Sequence, residues 1–334
     1  MQLDLNPIIT KIRATIETHK MAEEGAFVRF LWQDRENTRK MGVNEYGCAD
    51  VANIRYMIGD LPRNEQERMA CVKVLQDFQD PDTGLFFEGT HHALHCTAHC
   101  TAALELFDVR PRYAMPGIDP YRTPEGLCKL LEGLRWIENP WPQAHEGAGI
   151  FATMILTGAA TPEWQDTYFN WLDRHTDPEH GMSVAGTIQT GKAPKFHHLN
   201  GWFHYLFNYS FARRPFPQVE KLIDSCIDMY KNRQLAEDFG HRVGFSEIDW
   251  VFTLNRAISQ SGYRFAEGKS LLREFAAEFV QFLNECDMHT HDQWNDMHML
   301  FGAVCALAEL QIALPGELRS DYPLRQVLDR RPFI

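Results

Sequence analysis

Apolar residues along this chain recur three and four positions apart, and stretches of strict two-residue alternation are few. The pattern therefore predicts helices almost throughout. Two kinds of helical segment alternate. Residues 122–137, 215–233 and 266–285 are amphipathic; in the second, Val219, Leu222, Ile223, Cys226, Ile227 and Tyr230 form one stripe, with Glu220, Asp224 and Lys231 off it. Residues 93–107, 147–160 and 299–314 are apolar or small on nearly every side, which predicts helices covered all round.

Aligning the covered segments yields a repeat. Their starts fall near Cys48, Ala93, Gly147, Leu199, Glu247 and Asp296, at intervals of about 45, 54, 52, 48 and 49 residues. Two helices and two loops need about 40–50 residues, so each interval fits one helical hairpin. The connecting loops share weak features, such as DPDTGLF at 80–86 and DPEHGMS at 177–183. An open superhelical array should show near-identical repeats and polar capping ends. Here the repeats diverge and the last covered segment is as apolar as the middle ones. The prediction is an all-α, closed (α/α)6 toroid of six hairpins, one domain over residues 1–334, with the covered helices inside and the amphipathic ones outside.

Composition adds exclusions. The 334 residues are 44% hydrophobic and 23% charged, which is a folded rather than a disordered or low-complexity chain. A formal net charge of −12 argues against nucleic acid or an anionic membrane as partner. No apolar run approaches the roughly 18–20 residues of a membrane span. The N-terminal stretch lacks a basic start and an apolar core, so no export signal is expected. The eight cysteines are dispersed in apolar helical stretches, which suggests free thiols and a cytoplasmic setting.

Strict alternation of helices would bring six helix N-termini to one face. The segments entering the covered helices are rich in polar and aromatic groups: Asn44, Glu45 and Tyr46 with Asp50; His91 and His92 with His95; Trp141 with His145 and Glu146; His197 and His198 with Asn200, Trp202 and His204; His241 with Glu247, Asp249 and Trp250; Asp292, Trp294, Asn295 and Asp296 with His298. Helix capping accounts for any one Asp, Asn or Glu among them. It does not account for His and Trp at the same phase. Carboxylates, imidazoles and indoles around a concave pocket suit a sugar, with indole faces on C–H faces and polar groups on hydroxyls. Glycoside hydrolysis commonly uses two carboxyl groups, and Glu247 with Asp296 is the preferred pair, Asp249 the substitute. His92, His145 and His198 could instead serve epimerisation or β-elimination. Glu45, Tyr46, His91, Trp141, Glu146, His198, Asn200, Trp202, Trp294 and Asn295 are the expected substrate contacts.

Other signals weigh less. His92, His95 and His99 share a helix face and residues 289–292 add further ligands, but neither cluster matches a zinc signature, so no metal and no cofactor is expected. Residues 186–193 nearly match a phosphate loop but end in Ala193 and follow no strand; a loop over the funnel, with Lys192 near an anionic substrate, is the alternative. Cys48 and Cys96 sit near the predicted rim, as buried small residues or as nucleophiles. Asn208-Tyr209-Ser210 is a formal glycosylation sequon.

The hairpin period and the aromatic–acidic starts of the covered helices resemble the (α/α)6 toroid enzymes: six-hairpin glycosidases, unsaturated glucuronyl hydrolases, N-acylglucosamine 2-epimerase-like proteins and several polysaccharide lyases. The resemblance spans the whole chain and is architectural. Glucuronyl hydrolases imply an aspartate that protonates and hydrates an unsaturated uronic acid, a part open to Asp296 or Asp249. The epimerases imply two histidines, with His92 and His198 as counterparts. Terpenoid cyclases, prenyltransferases and a terpene-alcohol dehydratase-isomerase use a related toroid, but the chain has no D-x-D-D or D-D-x-x-D motif. The expectation is a carbohydrate-active enzyme on a small sugar substrate, a hydrolase before a lyase or epimerase. A dehydratase or isomerase of a non-sugar molecule and a non-catalytic helical-repeat module are the alternatives. Self-association is compatible with any of them.

Overall fold

The computed structural model describes residues 2–334. Among them twelve α-helices take up more than half of the chain: α1 (Asn6–His19), α2 (Glu45–Met57), α3 (Glu65–Asp77), α4 (Ala93–Glu105), α5 (Pro124–Gly133), α6 (Pro140–Leu156), α7 (Pro162–His175), α8 (Lys195–Phe211), α9 (Val219–Lys231), α10 (Ser246–Ser261), α11 (Phe265–Glu285) and α12 (Met297–Ala313). Two short strands, β1 (Leu3–Asp4) and β2 (Leu318–Arg319), pair in parallel and join the ends of the chain. Among the described residues no helix is long and apolar enough to cross a membrane.

The two classes of segment pack as their patterns dictate. Even-numbered helices are buried along most of their length and contact one another in the order α2, α4, α6, α8, α10, α12; α12 then packs back on α2. Odd-numbered helices bury one stripe, as α9 does with Leu222, Ile223, Cys226, Ile227 and Met229. Glycines set the closest approaches. A Cβ on Gly201 of α8 would lie 2.6 Å from the Pro140 carbonyl oxygen, and one on Gly149 of α6 would lie 2.8 Å from that of Leu94. Backbones this close gain dispersion contacts that a larger residue would forbid.

The shared loop motif has a local job. Asp80 Oδ1 accepts from the backbone N–H of Asp82 (3.1 Å) and Thr83 (2.7 Å), and Asp177 Oδ1 from Glu179 (2.9 Å) and His180 (3.0 Å). Such side-chain turns reverse the chain before a positive-φ residue, here Gly84 and Gly181.

Helix starts differ from the pattern chiefly at α6, which begins at Pro140 rather than near Gly147. Gln143, His145 and Glu146 interrupt the apolar signal, while Pro140 and Pro142 fit a first turn that needs no N–H donors. Trp141, His145 and Glu146 therefore lie on the helix rather than in a preceding loop. The chain's last segment also fills the space among the even-numbered helices. Gln326 Nε2 donates to the Cys305 carbonyl (3.1 Å), Arg331 hydrogen-bonds Asn53 of α2, and the buried Phe333 ring lies 4.9 Å from His95 and 5.9 Å from Phe207.

Candidate functional site

The segment between α1 and α2 straps the N-terminal ends of α2 and α12. Met297 N–H donates to the Arg29 carbonyl (3.1 Å), and a Cβ on Gly47 would lie 2.6 Å from the Val28 carbonyl carbon. Asp292 pins the far part of the strap, accepting from Trp32 Nε1 (2.9 Å) and from Arg39 (2.5 Å). Arg29 itself is buried. Its Nε and Nη2 donate to the two oxygens of Asp296 (2.8 and 3.1 Å), and its Nη1 to Glu88 (2.9 Å) and Thr90 (3.2 Å). The guanidinium fork thereby neutralises two buried carboxylates.

Below the strap lies a continuous stack of rings. Tyr46 of α2 stacks on His91 at 4.8 Å and on His99 at 4.7 Å, meets the edge of His298 at 4.6 Å, and its hydroxyl hydrogen-bonds His95 Nδ1. His95 lies 4.4 Å from His145 of α6, which lies 4.7 Å from His204 of α8. On the other side, Asp50 Oδ1 accepts from His99 Nε2 at 2.8 Å, with His298 Nδ1 at 3.4 Å. The floor is aromatic: Phe333 below His95, and Phe245 and Phe301 beside His298 and His99.

Desolvation decides the charge here. Burial drives the His91 imidazole down to about 3, with Arg29 adding to it, and His204 down to about 4 against the pull of the Asn200 carbonyl. Burial likewise holds His95, His145 and His298 well below the usual imidazole range, with His145, His204 and Arg29 respectively as the next cause. His99 is lowered to about 3 by burial and then Arg331, while burial raises Asp50. Seven imidazoles or carboxyls thus sit together without an imidazolium at neutral pH.

The residues nominated from the sequence fall into three groups. Tyr46, His91 and His145 belong to the stack, and Asp296 borders it through Arg29. Asp296 is also the N-cap of α12, accepting from His298 N–H (3.0 Å). A rim forms nearby: the exposed His92 caps α4 and places Nε2 3.6 Å from Glu146, while Trp141 lies 5.7 Å from His197.

The second group is buried elsewhere. Glu247 Oε1 accepts from Gly240 N–H (3.3 Å) and Asp249 has no partner; Arg242 is the cation near both. Glu247 and Asp296 therefore stand in different surroundings, because residues 240–246 fold over the start of α10 and enclose Glu247. Glu45 is buried with both oxygens unpartnered, and burial raises its carboxyl well above the ordinary range. His198 Nδ1 meets Ser183 Oγ (2.9 Å), and Asn200 Nδ2 donates to Ser246 Oγ (3.1 Å).

The third group has partners outside the stack: Trp202 meets rings of α8 and of the segment after α5, Trp294 reaches α1, and Asn295 bonds the loop before α12. Trp202 lies 6.2 Å from Trp136 and 5.3 Å from Tyr205. Trp294 donates to Thr15 of α1 (2.7 Å), and Asn295 donates to the Met288 and His291 carbonyls (2.9 and 3.0 Å). An indole beside a helix start can face either layer, and its hydrophobic area favours the dry seam.

Burial settles several other signals. It pushes the Cys48 and Cys96 thiols up to about 12, which suits small core residues rather than nucleophiles. All eight cysteines are free. Lys192 pairs with Glu138 (3.2 Å), and Asn208 is buried, its amide donating to Tyr168 (2.9 Å).

Among the described residues two groups could hold a metal ion: His95, His145 and His204, and Asp50, His99 and His298, each with one ligand atom per residue within 4.8 Å of the others. The face shared by His92, His95 and His99 does not act together; the rings are divided among different neighbours. Asp50, His95, His99, His204 and His298 were noted in the sequence without a catalytic or substrate-binding role, and Arg29 and Glu88 were not singled out. Helical spacing from Tyr46 to Asp50 and from His91 to His95 and His99 carries part of that signal, whereas Arg29 lies in a loop with no period to reveal it. No family model, curated protein or solved structure matches the chain.

Proposed function

We propose that this chain is an (α/α)6 toroid enzyme that acts on a small hydroxyl-rich molecule, a mono- or oligosaccharide, by proton-transfer chemistry of the elimination or epimerisation type. Support for the toroid is the packing order of the even-numbered helices, which returns from α12 to α2. Support for the site is one observation: the loop before α4 and the helices α2, α4, α6, α8 and α12 supply Tyr46, His91, His95, His145, His204 and His298 to one contiguous stack. A glycosidase working through Glu247 and Asp296 draws no support from the surroundings of those two groups. Neutral imidazoles and a phenol can accept and donate hydrogen bonds to hydroxyls and move protons between carbon and oxygen. The half-buried His91, with Nδ1 2.9 Å from Thr90 Oγ1, directly precedes His92, which with Glu146 forms the rim.

The test is proton exchange. A panel of hexoses, uronic acids and disaccharides is incubated with the protein in D2O and followed by NMR for deuterium at carbon or for a new double bond. His91→Ala should lower the rate by about 10²–10⁴-fold. Glu247→Gln should leave it unchanged; a loss of about 10²-fold or more there would restore the two-carboxylate reading. Unaltered turnover in His91→Ala would remove the stack from the chemistry. The aromatic floor of Phe245, Phe301 and Phe333 favours a second reading, a dehydratase or isomerase of a less polar alcohol, which the same panel extended to allylic alcohols would register.

A further inference from the structure

We propose that His95, His145 and His204 together hold a divalent transition-metal ion, zinc by ligand type, with a fourth position open to water or substrate. The inference goes beyond the proposed function, since it stands on three rings whatever the substrate is.

The rings come from three successive even-numbered helices, and one nitrogen of each lies within 4.8 Å of the others. A tetrahedral zinc with bonds of about 2.0–2.1 Å needs ligand separations of roughly 3.3 Å, which small side-chain rotations supply. Each outer ring is already oriented from behind. His204 Nδ1 donates to the Asn200 carbonyl at 2.8 Å, which leaves the lone pair on Nε2. His95 Nδ1 is engaged by the Tyr46 hydroxyl, so its Nε2 is likewise the free nitrogen. Metal-binding histidines are commonly held by this kind of partner on the second nitrogen. Among the described residues no hydrogen bond reaches His145 or the Nε2 atoms of His95 and His204. Three imidazoles without competing partners, facing one point, suit zinc or a neighbouring first-row metal rather than magnesium or calcium, which prefer oxygen.

The neighbouring group of Asp50, His99 and His298 fits less well. Its members already bond one another and are fully buried, whereas His145 is only half-buried and leaves a route to solvent.

The experiment uses the full chain purified without a histidine tag. Elemental analysis should find about one zinc per chain. After chelator treatment one equivalent of cobalt(II) should bind and develop visible d–d bands. Zinc-edge absorption spectra should show three imidazole nitrogens at about 2.0–2.1 Å. Tyr46→Phe should weaken zinc binding by about 10- to 100-fold, and His145→Ala or His204→Ala by more, while His289→Ala on the surface changes nothing. Failure of wild-type protein to retain any metal overturns the proposal. So does a spectrum of two imidazoles with a carboxylate, which would put the ion at Asp50. Wild-type spectroscopy keeps the test decisive even if the histidine variants do not fold. Protein that binds no metal yet exchanges sugar protons sinks this inference and spares the proposed function; loaded protein inert to the whole panel does the reverse.

Discussion

Replacing Glu247 with Gln should change how stability depends on pH. The carboxyl is buried at the start of α10 with Oε2 unpartnered, and burial raises it from 4.5 to about 7 despite the opposing charge of Arg242. Asp249 beside it is likewise raised well above its ordinary value, by burial and then by Glu247. Between about pH 4.5 and 7 the folded chain keeps a proton on Glu247 that the unfolded chain has released. The contribution to stability is therefore full below about pH 4.5 and is lost as pH rises through about 7. At about 1.36 kcal/mol per pKa unit, the loss by pH 8 is about 3 kcal/mol. Gln keeps an acceptor for the Gly240 N–H and does not titrate. Urea unfolding at pH 4.5 and pH 8, with Asp249→Asn in both proteins, isolates the effect, because every other titrating group is then common to both. The stability of Glu247→Gln relative to the parent should rise by about 3 kcal/mol over that interval. Parallel profiles, within about 0.5 kcal/mol, would show that Glu247 is ionised in the folded protein and that the dry environment assigned to it is wrong.

Three further substitutions probe the framework by thermal or urea unfolding. Arg29→Met strands Asp296 and Glu88 without their shared partner and should cost about 3–5 kcal/mol; a cost under about 1 kcal/mol would mean the strap is not the buried clamp described. Gly201→Ala drives a Cβ to 2.6 Å from the Pro140 carbonyl oxygen and should cost about 1–3 kcal/mol, whereas a neutral result would show that α6 and α8 can part freely. Phe333→Ala empties the space between His95 and Phe207 and should cost about 3–5 kcal/mol; an unchanged midpoint would place the last residues outside the core.

The helical class, the alternation of covered and one-sided helices and five of the six covered-helix starts, to within a few residues, were legible in the chain. Each depends on local periodicity: a stripe of Leu222, Ile223 and Cys226 has one dry side whatever lies opposite it, and Leu300 to Leu310 has none. Tyr46, His91 and His145 were legible as polar or aromatic residues beside covered helices, but they stand at different depths, at the start of α2, before α4 and in the second turn of α6. Tertiary structure alone decided which way each side chain faced. Trp202 and Trp294 turned to the dry seam, Glu247 was enclosed by its own loop, and Arg29, from a segment without any period, crossed over to Asp296. Periodicity records how much of a helix meets water. It holds no record of a strap or tail whose partners lie hundreds of residues away, because those contacts are chosen by shape and charge after the helices have met.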